Sequence, residues 1–467
     1  MIKRTNRKPW SLAGAALAAA VLGGLPAGGG VEEARAADRP NVVVIMTDDQ
    51  DAKSVRVMRG VRQQLGGRGT TFTNAFATFP LCCPSRVTFL TGQYAHNHGV
   101  LDNHPPNGGY QAFKDSGTLP VSLNRAGYRT AWFGKYLNGY SAANVDTPAE
   151  RNDIPPGWDR WYAALGNAYF GGSFNDNGRF RKLSRSIYQT DHLANKAVNF
   201  IRESAHRANP FFLTLAVKAP HAENGPNPKP APRHRGDLRG IGLPTPPSFN
   251  EQDVSDKPAF VPRERLGLAD QRMLRSRHQA RLETLLGVDE AVKRIIAGLR
   301  RAGELRNTLV VFTSDNGLLN GEHRLISKTY LYEESAKVPL LMRGPGIPRG
   351  KERSQLVGNI DIAPTILDTA GAEPLRVMDG RSLLPLAQSP QVGRNRDLLF
   401  ENQQSTAVRT QRYMYAEHPN DEFELYDLRS DPFQLRSRHD DPSLAGVRAT
   451  LAQRLAELED CAGQSCR

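Results

Sequence analysis

Long apolar runs are almost missing from this 467-residue chain. Beyond the N-terminal segment none looks like a membrane span, so no stable membrane-spanning segment is expected in the mature chain. Cysteine is scarce too, at four residues. Cys82 and Cys83 are adjacent, a spacing that rarely satisfies disulfide geometry. Dominant blocks of like charge are also absent, although the formal net charge is +13. The basic residues are mostly arginine and widely spread. No nucleic-acid-binding motif accompanies them, so the charge is not read as a nucleic-acid footprint. It suits an anionic substrate or surface, and equally a generally basic exterior.

The length is enough for a large core, as one big domain plus a small one. The N-terminus reads as a targeting segment. Lys3, Arg4, Arg7 and Lys8 precede an apolar, Ala- and Gly-rich run from Leu12 to Leu25, and Ala34-Arg35-Ala36 fits a small-x-small cleavage site. Residues 1–36 are therefore expected to be a signal peptide, with a retained anchor as the alternative, and the mature chain is expected outside the cytoplasm. Removing them lowers the net charge from +13 to +10. In an exported protein, Cys461 and Cys466, near the C-terminus, are expected to form a small disulfide that pins the tail.

Two short β-branched apolar runs read as buried parallel strands. Asn41–Met46 leads through Thr47 into Asp48 and Asp49, and Leu309–Thr313 leads into Ser314, Asp315 and Asn316. In open α/β sheets, ligands gather at the carboxyl ends of strands. Adjacent carboxylates there repel unless a cation lies between them. Alone, Asp48-Asp49 could be a solvated turn. Together with Asp315 and Asn316 it forms a hard oxygen set suited to Ca²⁺ or Mg²⁺. Two further strands, Arg129–Phe133 and Phe211–Val217, run into Lys135 and His221. Singly, these residues would ordinarily be a solvated strand end and an exposed loop histidine.

Helical spacing places one helix over Asp191–Arg202 and another over Arg272–Arg301, the arginines of the second forming a solvated face. The alternation of helices and strands gives a mainly parallel sheet covered on both faces. Pro220–Pro262, long and rich in Pro and Gly, reads either as a flap over the site or as a surface insertion. From about Asp379, short strand-like segments with polar turns indicate a small antiparallel subdomain, closed by a helix over Pro442–Leu458.

The most informative stretch runs from Pro80 to Gly92. Pro84 suits a helix start and Gly92 a helix stop. Cys82 and Cys83 then lie at a helix N-terminus, which favours an anion, and Arg86 can point back at them. The spacing Cys82-x-Pro84-Ser85-Arg86-x-x-x-Leu90-Thr91-Gly92 resembles the sulfatase family; otherwise it is a buried cysteine pair opening an ordinary helix. The resemblance covers nearly all of the mature chain. It is closest to N-acetylglucosamine-6-sulfatase-like members, on Cys82–Arg86, Tyr94–His98, Gly134–Asn138 and Pro339–Gly346.

The resemblance implies an alkaline-phosphatase-like α/β sandwich over residues 37–378, with the antiparallel subdomain over residues 379–467. It implies that Cys82 is oxidised to Cα-formylglycine by a formylglycine-generating enzyme, and that Cys83 is the variable position. Asp48, Asp49, Asp315 and Asn316, completed by the modified Cys82, match the family's metal ligands, usually for Ca²⁺. Lys135, His221 and Lys328 match residues that grip the sulfate and protonate the leaving oxygen, and Arg86 matches one that steadies the nucleophile. Many sulfatases carry a histidine two residues after the strand-end lysine. Here Leu137 stands there, which leaves His96 and His98 as stand-ins. The expected substrate is a sulfated sugar or a small sulfate ester. The alternatives are a phosphate or phosphonate ester hydrolase of the same superfamily, and an inactive protein that binds anionic glycans.

Overall fold

The apolar runs of the sequence become the centre of a ten-stranded sheet. In chain order its strands are β1 (Asn41–Thr47), β2 (Thr70–Phe76), β3 (Arg129–Gly134), β4 (Arg160–Ala164), β5 (Phe170–Asp176), β6 (Arg179–Tyr188), β7 (Phe211–Ala216), β8 (Thr308–Ser314), β9 (Leu340–Arg343) and β10 (Lys351–Gly358). They lie in the order β10-β2-β9-β8-β1-β7-β3-β4-β5-β6. From β8 through β4 every pairing is parallel. β9 is antiparallel to both neighbours, and β5 and β6 form an antiparallel edge. This computed structural model describes residues 39–140 and 153–467, apart from 224, 226 and 394. The expected signal peptide, residues 1–36, lies outside the described residues. Among the described residues no helix is long and apolar enough to cross a membrane.

Successive residues of β1 face opposite ways, so its unbroken apolar run feeds two cores. Val42, Val44 and Met46 enter one core, and Val43 and Ile45 the other. Five helices of nine or more residues occur among the described residues: α1 (Cys82–Thr91), α2 (Gln189–Ser204), α3 (Leu268–Arg301), α4 (Ile362–Ala370) and α5 (Ala445–Glu459). α1 and α4 add Val87 and Ile366 to the first core, and α2 and α3 add Leu193 and Leu285 to the second. A fully buried residue such as Leu285 would cost about 2–5 kcal/mol to truncate to alanine.

β11 (Leu398–Glu401), β12 (Thr406–Arg409), β13 (Tyr413–His418) and β14 (Glu422–Asp427) form a separate four-stranded antiparallel sheet. α5 packs Leu451 and Leu455 against it, and Cys461 and Cys466 are joined in a disulfide. His96, in the segment that follows α1, is tied to the small sheet and to the tail. Its Nδ1 lies 2.9 Å from the Glu401 carboxylate and its Nε2 2.9 Å from the Cys461 carbonyl.

Pro220–Pro262 is anchored at two places among its described residues. Arg233 pairs with Asp191 on α2 and Glu290 on α3. Further along, Glu251 bonds His323 at 2.7 Å, and Arg324 donates to the carbonyls of Glu251 and Gln252, each at 2.8 Å. Its second half braces the segment that leads to Lys328.

Candidate active site

Because β8, β1, β7 and β3 are neighbours and parallel, their carboxyl ends share one edge. Thr47 is level with Ser314, and Ala216 is level with both Met46 and Gly134. Asp48, Asp315 and Lys135 follow directly, and a short loop after β7 brings in His221. Asp49 turns back with a φ of 64°, a left-handed conformation that Asp tolerates better than most residues. Its amide donates to Asp315 Oδ1 at 3.0 Å.

α1 brings Cys82 to the same edge. The helix begins at Cys82, so Pro84 is its third residue and not its first. Leu81 is extended, and its carbonyl accepts from Ser85 N at 3.0 Å. Gly92 closes the helix with a φ of 67°. The expected free N–H groups are largely spent: Pro84 has none, and Cys83 N donates to Asn103 Oδ1 at 2.9 Å. The positive field at Cys82 therefore comes chiefly from side chains. Lys328 Nζ is 2.7 Å from Cys82 Sγ and also bonds Asp49, while Lys135 Nζ is 2.5 Å from Asp48 Oδ2. Arg86 donates from Nε to Asp315 Oδ2 at 2.9 Å and from Nη1 to the Lys135 carbonyl at 2.8 Å.

Asp48, Asp49, Cys82 and His221 each offer a donor atom, and these atoms lie within 4.8 Å of one another. Asn316 Nδ2 donates to Asp49 Oδ1 at 2.7 Å, while Asn316 Oδ1 is buried with no hydrogen-bond partner among the described residues. A buried orphan acceptor beside carboxylates fits an oxygen ligand of a bound cation. Burial opposes charge on Asp48, but Lys135, His221, Arg86 and Lys328 outweigh it and hold the carboxyl well below its usual range. Asp49 is likewise held near about 2, against burial, chiefly by Lys328 and His221. Asp315 is raised, first by burial and then by the charge of Asp48. Burial pushes the Cys82 thiol up to about 12 against the pull of both lysines, so an unmodified thiol here stays protonated and poorly nucleophilic at neutral pH.

All the residues singled out in the sequence for this site thus meet at one edge. The proposed stand-ins for the missing histidine do not. His96 is held by Glu401 and the tail. His98 is buried, with Nε2 3.0 Å from Thr88 Oγ1 and Nδ1 accepting from Val100 N at 3.1 Å. Both rings are committed to packing, so neither takes the place of a histidine at Leu137.

Three supporting residues were given no role in the site by the sequence reading. Arg281, expected on a solvated face, is buried and donates to the Asp49 carbonyl at 2.7 Å. Its signal was positional: Leu274, His278, Arg281, Leu285 and Val288 form one buried helical stripe. Tyr169 donates its hydroxyl to the His221 carbonyl at 2.8 Å. Asn359 donates to Ser85 Oγ at 2.9 Å and so fixes the first turn of α1.

Two family profiles match the chain: Sulfatase over residues 40–372, and N-sulphoglucosamine sulphohydrolase, C-terminal, over residues 321–461. An N-acetylglucosamine-6-sulfatase of Homo sapiens is 33% identical over 511 residues, covering 97% of this chain and 90% of that protein. A solved structure described as a complex with its substrate D-glucosamine-2-N,6-O-disulfate superposes with a TM-score of 0.75 at 26% identity, covering 90% of this chain and 97% of that one. A phosphonate monoester hydrolase of Agrobacterium radiobacter reaches 0.72 at 22% identity, covering 90% and 94%, a likeness of fold alone.

Proposed function

The chain belongs to the sulfatase family and is a sulfuric ester hydrolase, and from that premise we propose that it is an exported enzyme that removes sulfate from sulfated sugars. The observation that carries this reading is the position of Cys82, between the Lys135 and Lys328 ammonium groups and beside Asp48 and Asp49. The sugar assignment rests on what the similar proteins are named for. Export is supported by the leader-like residues 1–36 and by the tail disulfide. Residues 37–378 would form the catalytic domain and residues 379–467 the C-terminal subdomain.

In the proposed mechanism Cys82 has been converted to Cα-formylglycine by a formylglycine-generating enzyme. Its hydrate supplies one hydroxyl to attack sulfur and a second whose deprotonation releases sulfate and restores the aldehyde. Lys135 and Lys328 neutralise charge that builds on the sulfuryl oxygens. His221 donates Nδ1–H to the Ala222 carbonyl at 2.6 Å, which leaves Nε2 to carry the proton given to the departing sugar oxygen. Nε2 lies 3.7 Å from Asp49 Oδ2. Arg86 fixes the nucleophile's helix turn to Asp315 and to the strand bearing Lys135. Asp48, Asp49, Asp315 and Asn316, with the modified residue 82, would hold a Ca²⁺ or Mg²⁺ ion. That ion would lower carboxylate repulsion and polarise the sulfuryl group.

Mass spectrometry of the peptide containing residue 82, from protein made in its native host, tests the nucleophile. A peptide with aldehyde mass is expected, and an unmodified thiol throughout would refute the mechanism. Parallel assays on matched sulfate, phosphate and phosphonate esters test the reaction. Sulfate turnover should be fastest, and faster phosphate or phosphonate turnover would transfer the assignment. Tight glycan binding without desulfation by fully modified protein would mark a binding protein instead.

A further inference from the structure

β6 has the sequence Arg179-Phe180-Arg181-Lys182-Leu183-Ser184-Arg185-Ser186-Ile187-Tyr188 and is, among the described residues, one of the two edge strands of the large sheet. It holds four cations and no acid. Arg179, Arg181, Lys182 and Arg185 are all exposed, and none has an ion-pair partner among the described residues. Asp176, the residue opposite Arg179, is already paired with Lys196 at 3.6 Å.

Arg181 sits opposite Phe174 and Lys182 opposite Ser173, so the charges project on both faces of the edge. The pairing then jumps from Gly172–Leu183 to Phe170–Tyr188, which pushes the segment bearing Arg185 out of register. Phe180, 55% exposed, stands among the cations and offers a flat apolar face. Charged side chains on an edge strand also block strand-to-strand aggregation, but that role is served by either sign and does not select four of one sign.

The strand also leads toward the site. β5 and β6 are antiparallel, and Arg185 lies against Gly171, whose added Cβ would meet Arg185 Cα at 3.1 Å. Two residues earlier in the chain, Tyr169 bonds the His221 carbonyl. Arg185 is therefore at the end of the basic edge nearer the loop of the proposed proton donor.

We propose that the β6 edge is an auxiliary binding surface for a sulfated glycan chain, holding the polymer while one of its sugars occupies the catalytic edge. The sulfate groups would pair with Arg179, Arg181, Lys182 and Arg185, and a sugar ring would lie against Phe180. The glycan assignment rests on the sulfated-sugar reading given above; the surface itself rests on charge and position.

The test uses the full mature protein with heparin as the probe. The variant Arg179→Gln/Arg181→Gln/Lys182→Gln/Arg185→Gln is compared with a control on α3, Arg272→Gln/Arg275→Gln/Arg300→Gln/Arg301→Gln, whose arginines are also exposed. The β6 variant should bind heparin at least tenfold more weakly, and its log–log salt slope should fall by roughly three, as loss of about four counterion-releasing contacts requires. Its turnover of 4-nitrophenyl sulfate should be unchanged. If the quadruple variant misfolds, Arg179→Gln/Arg181→Gln and Lys182→Gln/Arg185→Gln should each carry part of the loss. Unchanged heparin affinity, or an equal loss in the α3 control, overturns the proposal. So does duplex DNA binding β6 as tightly as heparin. Binding is also read in the Cys82→Ala background, so a failure of catalysis there leaves the result for β6 intact.

Discussion

Lys328 Nζ lies 2.7 Å from Cys82 Sγ while it also bonds the Asp49 carboxylate. One ammonium thus spans the proposed nucleophile and a proposed metal ligand. Cys83 points elsewhere: it is fully buried in the core cluster with Val87 and Leu90. Cys82→Ala should abolish sulfatase turnover, and Lys328→Ala should lower kcat by roughly 10²–10³-fold, the usual loss of a charge-stabilising donor. Cys83→Ala should keep turnover and lose about 1 kcal/mol of stability, as small core truncations do. Steady-state kinetics and thermal melts of the three variants check this. The reverse pattern between the two cysteines would move the nucleophile to residue 83.

Asn316 makes the metal proposal testable apart from catalysis. Its Oδ1 is buried without a partner among the described residues, while its Nδ2 is engaged with Asp49. Asn316→Ala removes one oxygen donor and should weaken Ca²⁺ binding by more than tenfold in calorimetry. Chelation should lower the wild-type melting temperature, because an ion that binds only the folded chain stabilises it by mass action. If EDTA changes neither the melt nor the turnover, the acidic edge works without a resident ion.

The centre of the fold was legible because strands buried on both faces show as unbroken apolar runs, and Asn41–Met46 and Leu309–Thr313 did so. Their acids followed at once, so the site edge could be assembled from sequence. β6 was not legible. It is exposed on both faces, so no hydrophobic period marks it. Arg281 was misassigned because residue type outweighed position. His96 and His98 looked available because they are near Cys82 in sequence, but burial and hydrogen bonding commit both to structure. Tyr169 left no sequence signal, since its hydroxyl meets His221 only through the fold.

His221 as proton donor predicts a dependence on the leaving group. His221→Ala should lower kcat on an alkyl sugar sulfate by roughly 10²–10⁴-fold. On 4-nitrophenyl sulfate the loss should be much smaller, because that phenolate leaves without a proton. Tyr169→Phe deletes one hydrogen bond to the His221 carbonyl and should cost about fivefold in kcat on the sugar ester, with KM little changed. Equal losses on both substrates would assign His221 to sulfate binding alone.

His98 should make the fold acid-sensitive. Its Nδ1 accepts from Val100 N, so only the neutral ring, with its proton on Nε2 toward Thr88, suits the site. Burial, helped by the charges of Arg376 and His96, pushes its pKa down to about 3. The unfolded chain binds that proton near pH 6.5, so below this value unfolding takes up a proton that the native state refuses. Stability should then fall as the pH drops from about 6.5 toward 3, by up to about 1.4 kcal/mol per pH unit. His96 works in the opposite sense. Burial opposes its charge, yet the bond to Glu401 raises its pKa, so its contribution is present at acid pH and is lost as the pH rises past its folded value. Comparing urea midpoints of wild type and His98→Gln isolates the first effect, because His96 is common to both. The variant should be less stable near neutral pH, where it loses the ring's packing, but should lose less on acidification. Parallel pH profiles would show that the buried ring takes up its proton without penalty, and that α1, which carries Thr88, is not held by the neutral form.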